Sequence, residues 1–502
     1  MSDPTALNVP IPGYAMTSDA QYGLKPAAPK SRSYRVSVSP INKSVFVGGD
    51  QIVWEIPTGR RGTFLDTSQS FLKFSVQFQA AGNVVPGFTG IYLENSAYCF
   101  FQRFDCYSGS NLLESINEYS QLANFLLDTS LNASDKAGLS SLIGTNDKSY
   151  SVSTVPAITQ ALVTAGIAAT PITTSIFQYP GDRSGMSCAA TTAINSSIPY
   201  TFALPLMSGV IGSGTKMLPV GKLNAPIRCE FFLSSNDDAI YYGSGAAPGV
   251  TFQIVNVEYE CCFVEIQDDN FDIQLAPGQQ EYISTTSYRN ASSYIPAATS
   301  GEVTLLLPFR AASITALYAR FRPYANSVQG VNATAAYRKC SINPNFSQIY
   351  FRIGSSIYPN KPIYLINGSL VSGGAEAYAE LLKSHHALTS TIGNSALTST
   401  MYNVAATATG LWQAAYIPTS KLTGTDTHAN SFAIGLECST FSNRSDTILS
   451  GVSTLNSQIY FTGVVNSGAT CGGALNYNYT ADFFCQMDMI LVLQDGLLSA
   501  KY

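Results

Sequence analysis

Histidine is the side chain that most often serves as a general base near neutral pH, and the 502 residues contain three: His385, His386 and His428. The first two are neighbours, and on a helix they project about 100° apart, so they cannot both face one metal ion. No Cys-x-x-Cys or His-x-x-x-His spacing occurs, which leaves zinc without a ligand set. These histidines are expected on a helix surface or at the rim of a core.

Other fragments of chemistry fail on spacing. Gly209-Val-Ile-Gly-Ser-Gly214-Thr-Lys216 approaches a phosphate-binding loop, but Thr215 stands where the lysine belongs and Met217-Leu-Pro219 stops any helix, so a turn is expected. Gly181-Asp-Arg-Ser-Gly185 has its serine one place too late for a nucleophile elbow. Glu265, Asp268, Asp269 and Asp272 cluster, though without EF-hand spacing, and are expected as solvated loop acids. No residue stands out as catalytic, cofactor-binding or metal-ligating, and the chain is expected not to be an enzyme.

The elements that would carry any site must come from an unusual composition. Hydrophobic residues make up 45% of the chain, but Asp, Glu, Lys and Arg together only 12%, against about 25% in typical soluble proteins. Ample apolar content argues against disorder, and scarce Glu and Lys argue against a helix-rich protein. Lys and Arg number 27 against 32 Asp and Glu, for a net charge of −5, so no global basic field points to a dedicated nucleic-acid-binding domain. No apolar run reaches membrane-spanning length, since Ala161 to Phe177 is broken by Thr164 and Pro171. The opening MSDPTALNVPIPGYAM has no basic and apolar regions of a secretory signal. The 10 cysteines, one adjacent pair apart, are scattered singly, and are expected as buried reduced thiols. Asn-x-Ser/Thr sequons such as Asn132 and Asn443 are expected by chance in so Ser/Thr/Asn-rich a chain.

Strand patterns dominate. Tyr34 to Val38, Ile52 to Ile56 and Phe71 to Phe78 alternate apolar with polar, and Val255 to Ile266 is β-branched and aromatic. Helical periodicity is convincing twice. NLLESINEYSQLANFLLD sets Leu112, Ile116, Tyr119, Ala123 and Leu126 on one face, with Asn111 and Glu114 resembling a capping box; GGAEAYAELLKSHHAL does the same with Tyr378, Leu381, Leu382 and His385.

The two helical stretches expose an internal repeat. Tyr119-Ser-Gln-Leu122 matches Tyr378-Ala-Glu-Leu381, and Phe101-Gln-Arg-Phe104 matches Tyr350-Phe-Arg-Ile353, which aligns Arg103 with Arg352. Gly49 to Pro57 matches Gly301 to Pro308 loosely, and Cys262 to Asp268 matches Ile490 to Asp495. Four matches in one order imply two related all-β domains, each an antiparallel β-sandwich of the jelly-roll kind with a short helix in a mid-domain loop. The expected division is an arm over 1–33, a first jelly roll over 34–275 with a loop insertion around 132–197, and a second over 276–502. The insertion and the Asn394 to Asn430 segment are expected as exposed loops.

The most specific segments lie in the second half: LLLPFRAASITALYARFRP, INPNFSQIYFRIGSSIYPNKPI, AYAELLKSHHAL and MDMILVLQDGLLSAKY. They resemble segments of capsid proteins from Polinton-like viruses, adintoviruses and virophages. With FLDTSQSFLKFSVQF and the Gly109 to Asp128 region, they make residues 34–502 similar to the double jelly-roll major capsid proteins of the adenovirus, virophage and large DNA virus lineage. The resemblance implies a structural subunit that forms homotrimers, pseudo-hexagonal capsomers tiling the faces of an icosahedral shell. It implies as partners the neighbouring capsomers, a vertex penton protein and minor capsid proteins. It places the chain in the virion, after synthesis in host cytoplasm without a signal peptide. The N-terminal segment, whose residues 1–35 carry Lys25, Lys30, Arg32 and Arg35 against Asp3 and Asp19, stays open between a solvated extension and an arm that ties subunits together or contacts the capsid interior or genome. A receptor- or glycan-binding fibre or adhesin shares the composition, and a β-sandwich glycoside hydrolase would need two carboxylates facing across a cleft.

Overall fold

A computed structural model describes residues 29–79, 91–144, 199–242, 251–267, 280–323, 341–365, 374–385, 395, 397, 402, 431–440, 448–466 and 475–502, less a few positions within these spans. The expected division at residues 268–279, the arm before residue 29, most of the 132–197 insertion and most of Asn394 to Asn430 lie outside them.

The first half runs β1 (Ser31–Val38), β2 (Val45–Val47), β3 (Gln51–Ile56), β4 (Thr63–Gln79), β5 (Ile91–Leu93), β6 (Phe101–Ser108), β7 (Asn111–Ile116), α1 (Tyr119–Ser130), β8 (Tyr200–Leu204), β9 (Ile227–Leu233), β10 (Ile240–Tyr242) and β11 (Thr251–Ile266). The second runs β12 (Glu281–Ile295), β13 (Glu302–Leu307), β14 (Ile314–Pro323), β15 (Phe346–Ile353), β16 (Ser356–Tyr364), α2 (Gly374–Ser384), β17 (Ile434–Glu437), β18 (Ile459–Val465), β19 (Tyr479–Gln494) and β20 (Leu497–Lys501). The sheets are antiparallel. In the first sandwich they follow the orders β1-β11-β4-β8 and β3-β9-β6-β7, and in the second β12-β19-β14-β17 and β13-β18-β15-β16. Replacing each strand of the first pair of sheets by its counterpart in chain order gives the second pair, so both are jelly rolls of one topology. β2 pairs with β11 beyond the end of β1, β20 pairs with β19 beyond the end of β14, and β5 pairs with β10.

The repeat extends to side chains. Arg103 on β6 and Arg352 on β15 lie over the rings of their cross-strand partners, Phe232 at 5.3 Å and Tyr460 at 4.7 Å. Gly49 and Gly301 enter β3 and β13 with φ of 87° and 75°, a backbone state that glycine takes without strain. The closing strands β11 and β19 are both 16 residues long. After the irregularity at Asn256, the buried Val257, Tyr259, Cys261 and Phe263 fall on the buried Cys485, Met487, Met489 and Leu491 when Cys261 is set on Met489, one residue from the alignment of Gln267 with Gln494. A slip of one residue would turn every side chain to the other face, so burial fixes the register where sequence similarity did not.

Alternation along each strand packs aromatic rings between the sheets. In the first sandwich Trp54 sits 5.5 Å from Phe231 and 5.7 Å from Tyr259. In the second, Phe461 lies within 5.2–5.6 Å of Phe321, Phe351 and Phe483.

One expected element is corrected. The helical pattern from Asn111 is a strand, β7, up to Ile116, and α1 opens only at Tyr119. Apolar residues at 112, 113 and 116 satisfy either period, and pairing with β6 decides between them: Leu112 is exposed opposite Tyr107, while Leu113 and Ile116 are buried. Glu114 is therefore no capping residue. The second helix is close to its expected span, with Leu381 buried and His385 just past its end. Three residues of the Asn394 to Asn430 segment are described, and they are packed rather than exposed loop: Leu397 and Tyr402 are buried and Ser395 donates to the Asp128 carbonyl.

Phe461→Ala removes a ring at the centre of the second aromatic cluster and should destabilise that sandwich by about 3–5 kcal/mol. Urea unfolding followed by a probe in each half should show the second transition shifted and the first less affected.

Candidate functional site

The sequence's chemical candidates are distributed, not assembled. His385 stacks on Tyr318, ring centroids 5.0 Å apart, and lies 5.5 Å from Phe125, a half-buried place at a core rim. Glu265 pairs with Arg32 at 2.7 Å. His386, His428, Asp268, Asp269, Asp272 and the Gly181 to Gly185 stretch lie outside the described residues. Among those described, no group of His, Cys, Asp and Glu is arranged to hold a metal ion. The seven described cysteines are unbridged, six of them buried, and Cys262 points away from Cys261 as neighbours in a strand do.

What the structure does assemble is the seam between the two sandwiches. Its centre is Glu114. Between Cys106 and Tyr107 the β6–β7 register shifts by a bulge, which turns both Leu113 and Glu114 inward. The turn at 208–211 then closes over the carboxylate: the Gly209 N–H donates at 3.0 Å and the Ser208 hydroxyl at 2.5 Å. From the second sandwich, the Ser287 hydroxyl on β12 donates at 2.6 Å. The Gly209 carbonyl in turn accepts from Thr285, also on β12. A Cβ on Gly209 would lie 2.5 Å from the Thr286 carbonyl oxygen, so only glycine admits this approach. The turn that resembles an anion-binding loop thus does hold an anion-forming group, one supplied by the chain itself. Burial pushes the Glu114 pKa up, against the pull of these donors.

α1 supplies the second part of the seam. On β14, Leu317, Ala319 and Phe321 enter their own core, while Tyr318, Arg320 and Arg322 face outward toward α1. Arg320 donates to the backbone carbonyl and side-chain oxygen of Gln121 at 3.2 and 3.1 Å. Arg322 is clamped by Asp482 on β19, with one contact at 3.0 Å, and reaches Glu118 at 3.6 Å. Burial alone would lower the Arg322 pKa, and the Asp482 and Glu118 charges outweigh it and hold the guanidinium charged. Phe125 packs 4.9 Å from the Tyr318 ring, and Asp128 accepts from Ser431 at 2.8 Å.

The chain terminus closes the third side. Tyr502 donates to the Leu113 carbonyl with Arg289 over its ring at 4.4 Å, and Lys222 pairs with Glu281 at 2.7 Å. Burial pushes the Tyr502 phenol up to about 12.

Sequence reasoning missed Glu114, Arg320, Arg322 and Asp482. A signal was available: in a chain so poor in charge, ionisable residues inside LYARFRP and TADFFC mark strands whose second face is also covered.

Removing one partner of a buried pair leaves an uncompensated charge, so Asp482→Ala should cost about 3–5 kcal/mol in denaturant unfolding. The Glu114 pKa is raised above its ordinary 4.5 in the folded state, so its favourable share of stability is complete below that value and is lost as pH rises through the folded pKa. Glu114→Gln should therefore gain on the wild type as pH climbs above 4.5, a trend that unfolding curves at stepped pH will read.

No family model and no curated protein matches the chain. Solved structures do. The Faustovirus major capsid protein superposes with a TM-score of 0.58 at 9% identity, covering 96% of this chain and 93% of that one. The Sputnik virophage structure gives 0.55 at 11%, covering 98% and 92%, and the mavirus major capsid protein 0.52 at 12%, covering 100% and 95%. At such identity the likeness is one of architecture, and it agrees with the strand orders: the chain has the double jelly-roll fold that these capsid proteins share.

Proposed function

We propose that the chain is a major capsid protein, a structural subunit that trimerises into pseudo-hexagonal capsomers of an icosahedral virion. One observation carries the reading: the two sandwiches are alike, yet they meet through unlike surfaces. α1, β7 and the 208–211 turn of the first pack on β12, β14 and β19 of the second. A contact between non-equivalent faces of equivalent bodies is heterologous, and each such contact leaves its two complements free.

Both complements are visible. α1 buries ten of its twelve residues, but α2, its counterpart, buries three of eleven. β12 buries Thr285, Ser287 and Ile295, whereas β1, its counterpart, buries none. Beside α2, β16 exposes Ile357 at 41% and Tyr364 at 55%, and β1 exposes Tyr34. The proposal is that α2 and β16 of one chain dock against β1, β4 and β11 of the next, repeating the internal contact until three chains close a ring of six jelly rolls. The exposed tyrosines and isoleucine suit an obligate interface, and the charges on these faces are paired within the chain, Arg35 with Glu260, Lys73 with Glu258 and Lys361 with Glu376.

The domain limits belong to the same proposal, with the first sandwich starting at Ser31, where β1 begins, rather than at the expected 34, and the second spanning 276–502. β1 pairs Ser31 with Ile266, so β1 starts at the same end of the first sandwich where β11 finishes. The arm is proposed to tie neighbouring capsomers or contact the shell interior. Penton and minor capsid proteins would be further partners, and the virion the site of action.

Light scattering of the purified chain should give the mass of a trimer, and a stable monomer at micromolar concentration would overturn the reading. Ile357→Asp with Tyr364→Asp should yield folded monomers with unchanged circular dichroism. Deleting residues 1–28, ahead of β1, should leave trimers intact and reduce closed particles in electron micrographs.

A further inference from the structure

Cys106 on β6 and Cys229 on β9 are direct partners in adjacent antiparallel strands, and their sulfurs lie 3.9 Å apart. Both are fully buried inside the first sandwich. Cys261, on the facing β11, is near enough to respond to charge on Cys229. The chain separates the pair by 123 residues, so spacing gives no hint of it.

Opposed residues in an antiparallel pair have Cβ atoms about 4.5–5.5 Å apart, against ~3.5–4.5 Å across a disulfide. Bridging therefore asks for rotation of both thiols and a slight closing of the strands. The bulge at Leu113 lies on the neighbouring β7, opposite Cys106, so the β6–β9 ladder keeps regular pairing at the two cysteines. Residual strain would make the bond more reducible than a relaxed structural disulfide. In the closed molecule the pair is protected: the contact with Cys229, with burial added, holds the Cys106 thiol protonated, and only thiolates exchange. Reaction must pass through opening of the β6–β9 ladder.

The geometry points to Cys106 and Cys229 as a site of reversible disulfide formation, reduced when the chain is made and closed later by an oxidant of the disulfide class. The thiolate of one attacks the oxidant's S–S bond, giving a mixed disulfide and releasing one thiol. The second cysteine, as thiolate, displaces the remaining half. Two electrons pass to the oxidant, and the two cysteine protons end on its two thiols. The bond would join the two central strands of the sheet whose edge strand, β7, carries Glu114, and so stiffen the side of the first sandwich that meets the second. This inference stands apart from the capsid reading and would hold for a monomer.

The test uses the full chain, purified with reductant and equilibrated just below its unfolding temperature in buffers of graded reduced and oxidised glutathione. After acid quench, alkylation in denaturant and proteolysis, mass spectrometry should find a Cys106–Cys229 linked peptide in larger yield than any other pair, reversed by dithiothreitol. The oxidised protein should melt about 5 °C or more above the reduced one. Cys229→Ser should abolish both effects, and Cys106→Ala serves equally if that variant does not fold. Two free thiols in the most oxidising buffer, or linkage to Cys261 as often as to Cys229, would overturn the assignment, and the wild-type map alone decides this.

Discussion

A sheet buried on both faces leaves its outward side chains no water, and that constraint organises this molecule around β14 and β19. Their inner faces fill the second aromatic core, and their outer faces lie under α1. Every polar group placed there has to find its partner in protein. Arg322 finds Asp482 and Glu118, Arg320 finds Gln121, and the Glu114 carboxylate collects donors from both sandwiches. Such pairs gain little over apolar packing of the same volume, but separating one costs several kcal/mol. The network therefore stabilises one docking arrangement chiefly by penalising others. A slide of α1 along β14 would strand two guanidinium groups in an apolar seam.

Much of the architecture was legible because jelly-roll strands are half core. Alternation gives β1, β3 and β4, β-branched and aromatic content gives β11, and two halves built alike give matching fragments in order. What similarity could not supply was phase. The Gln267 and Gln494 alignment is one residue out because the peptides resemble each other in type, whereas register follows which side of the strand is buried. The extended helix at Asn111 failed for a related reason, since three apolar residues within a turn's length serve a hairpin as well as a helix. The Arg103 and Arg352 match survived because a cation over a cross-strand ring is a geometric role that both copies retained.

The seam was far less legible. Glu114 reaches it through a bulge, and bulges leave no mark in apolar periodicity. Ser208, Gly209 and Ser287 are ordinary turn and strand residues until the fold sets them around one carboxylate. The phosphate-loop likeness of the Gly209 turn shows how near sequence reasoning came: the loop type was suggestive and the ligand was internal. Cys106 and Cys229 show the same limit, being far apart in the chain and joined only through the β6–β9 register.

The scarcity of charge links these features. A domain that meets its twin through unlike faces must keep both kinds of face ready, one to receive and one to insert. Solvating either with Lys and Glu would add a desolvation cost at each repeat of the contact. Within the chain the contact forms once, between first and second sandwich, and there the few buried charges are paired. The unpaired versions of the two faces are α2 with β16, and β1 with β4 and β11. They carry exposed tyrosine and isoleucine together with charges already paired inside the chain, Arg35 with Glu260, Lys73 with Glu258 and Lys361 with Glu376, and the burial contrast between α1 and α2 measures what the second copy lacks. Duplication without symmetry inside one chain thus leaves two exposed faces, each the counterpart of a face that the seam buries.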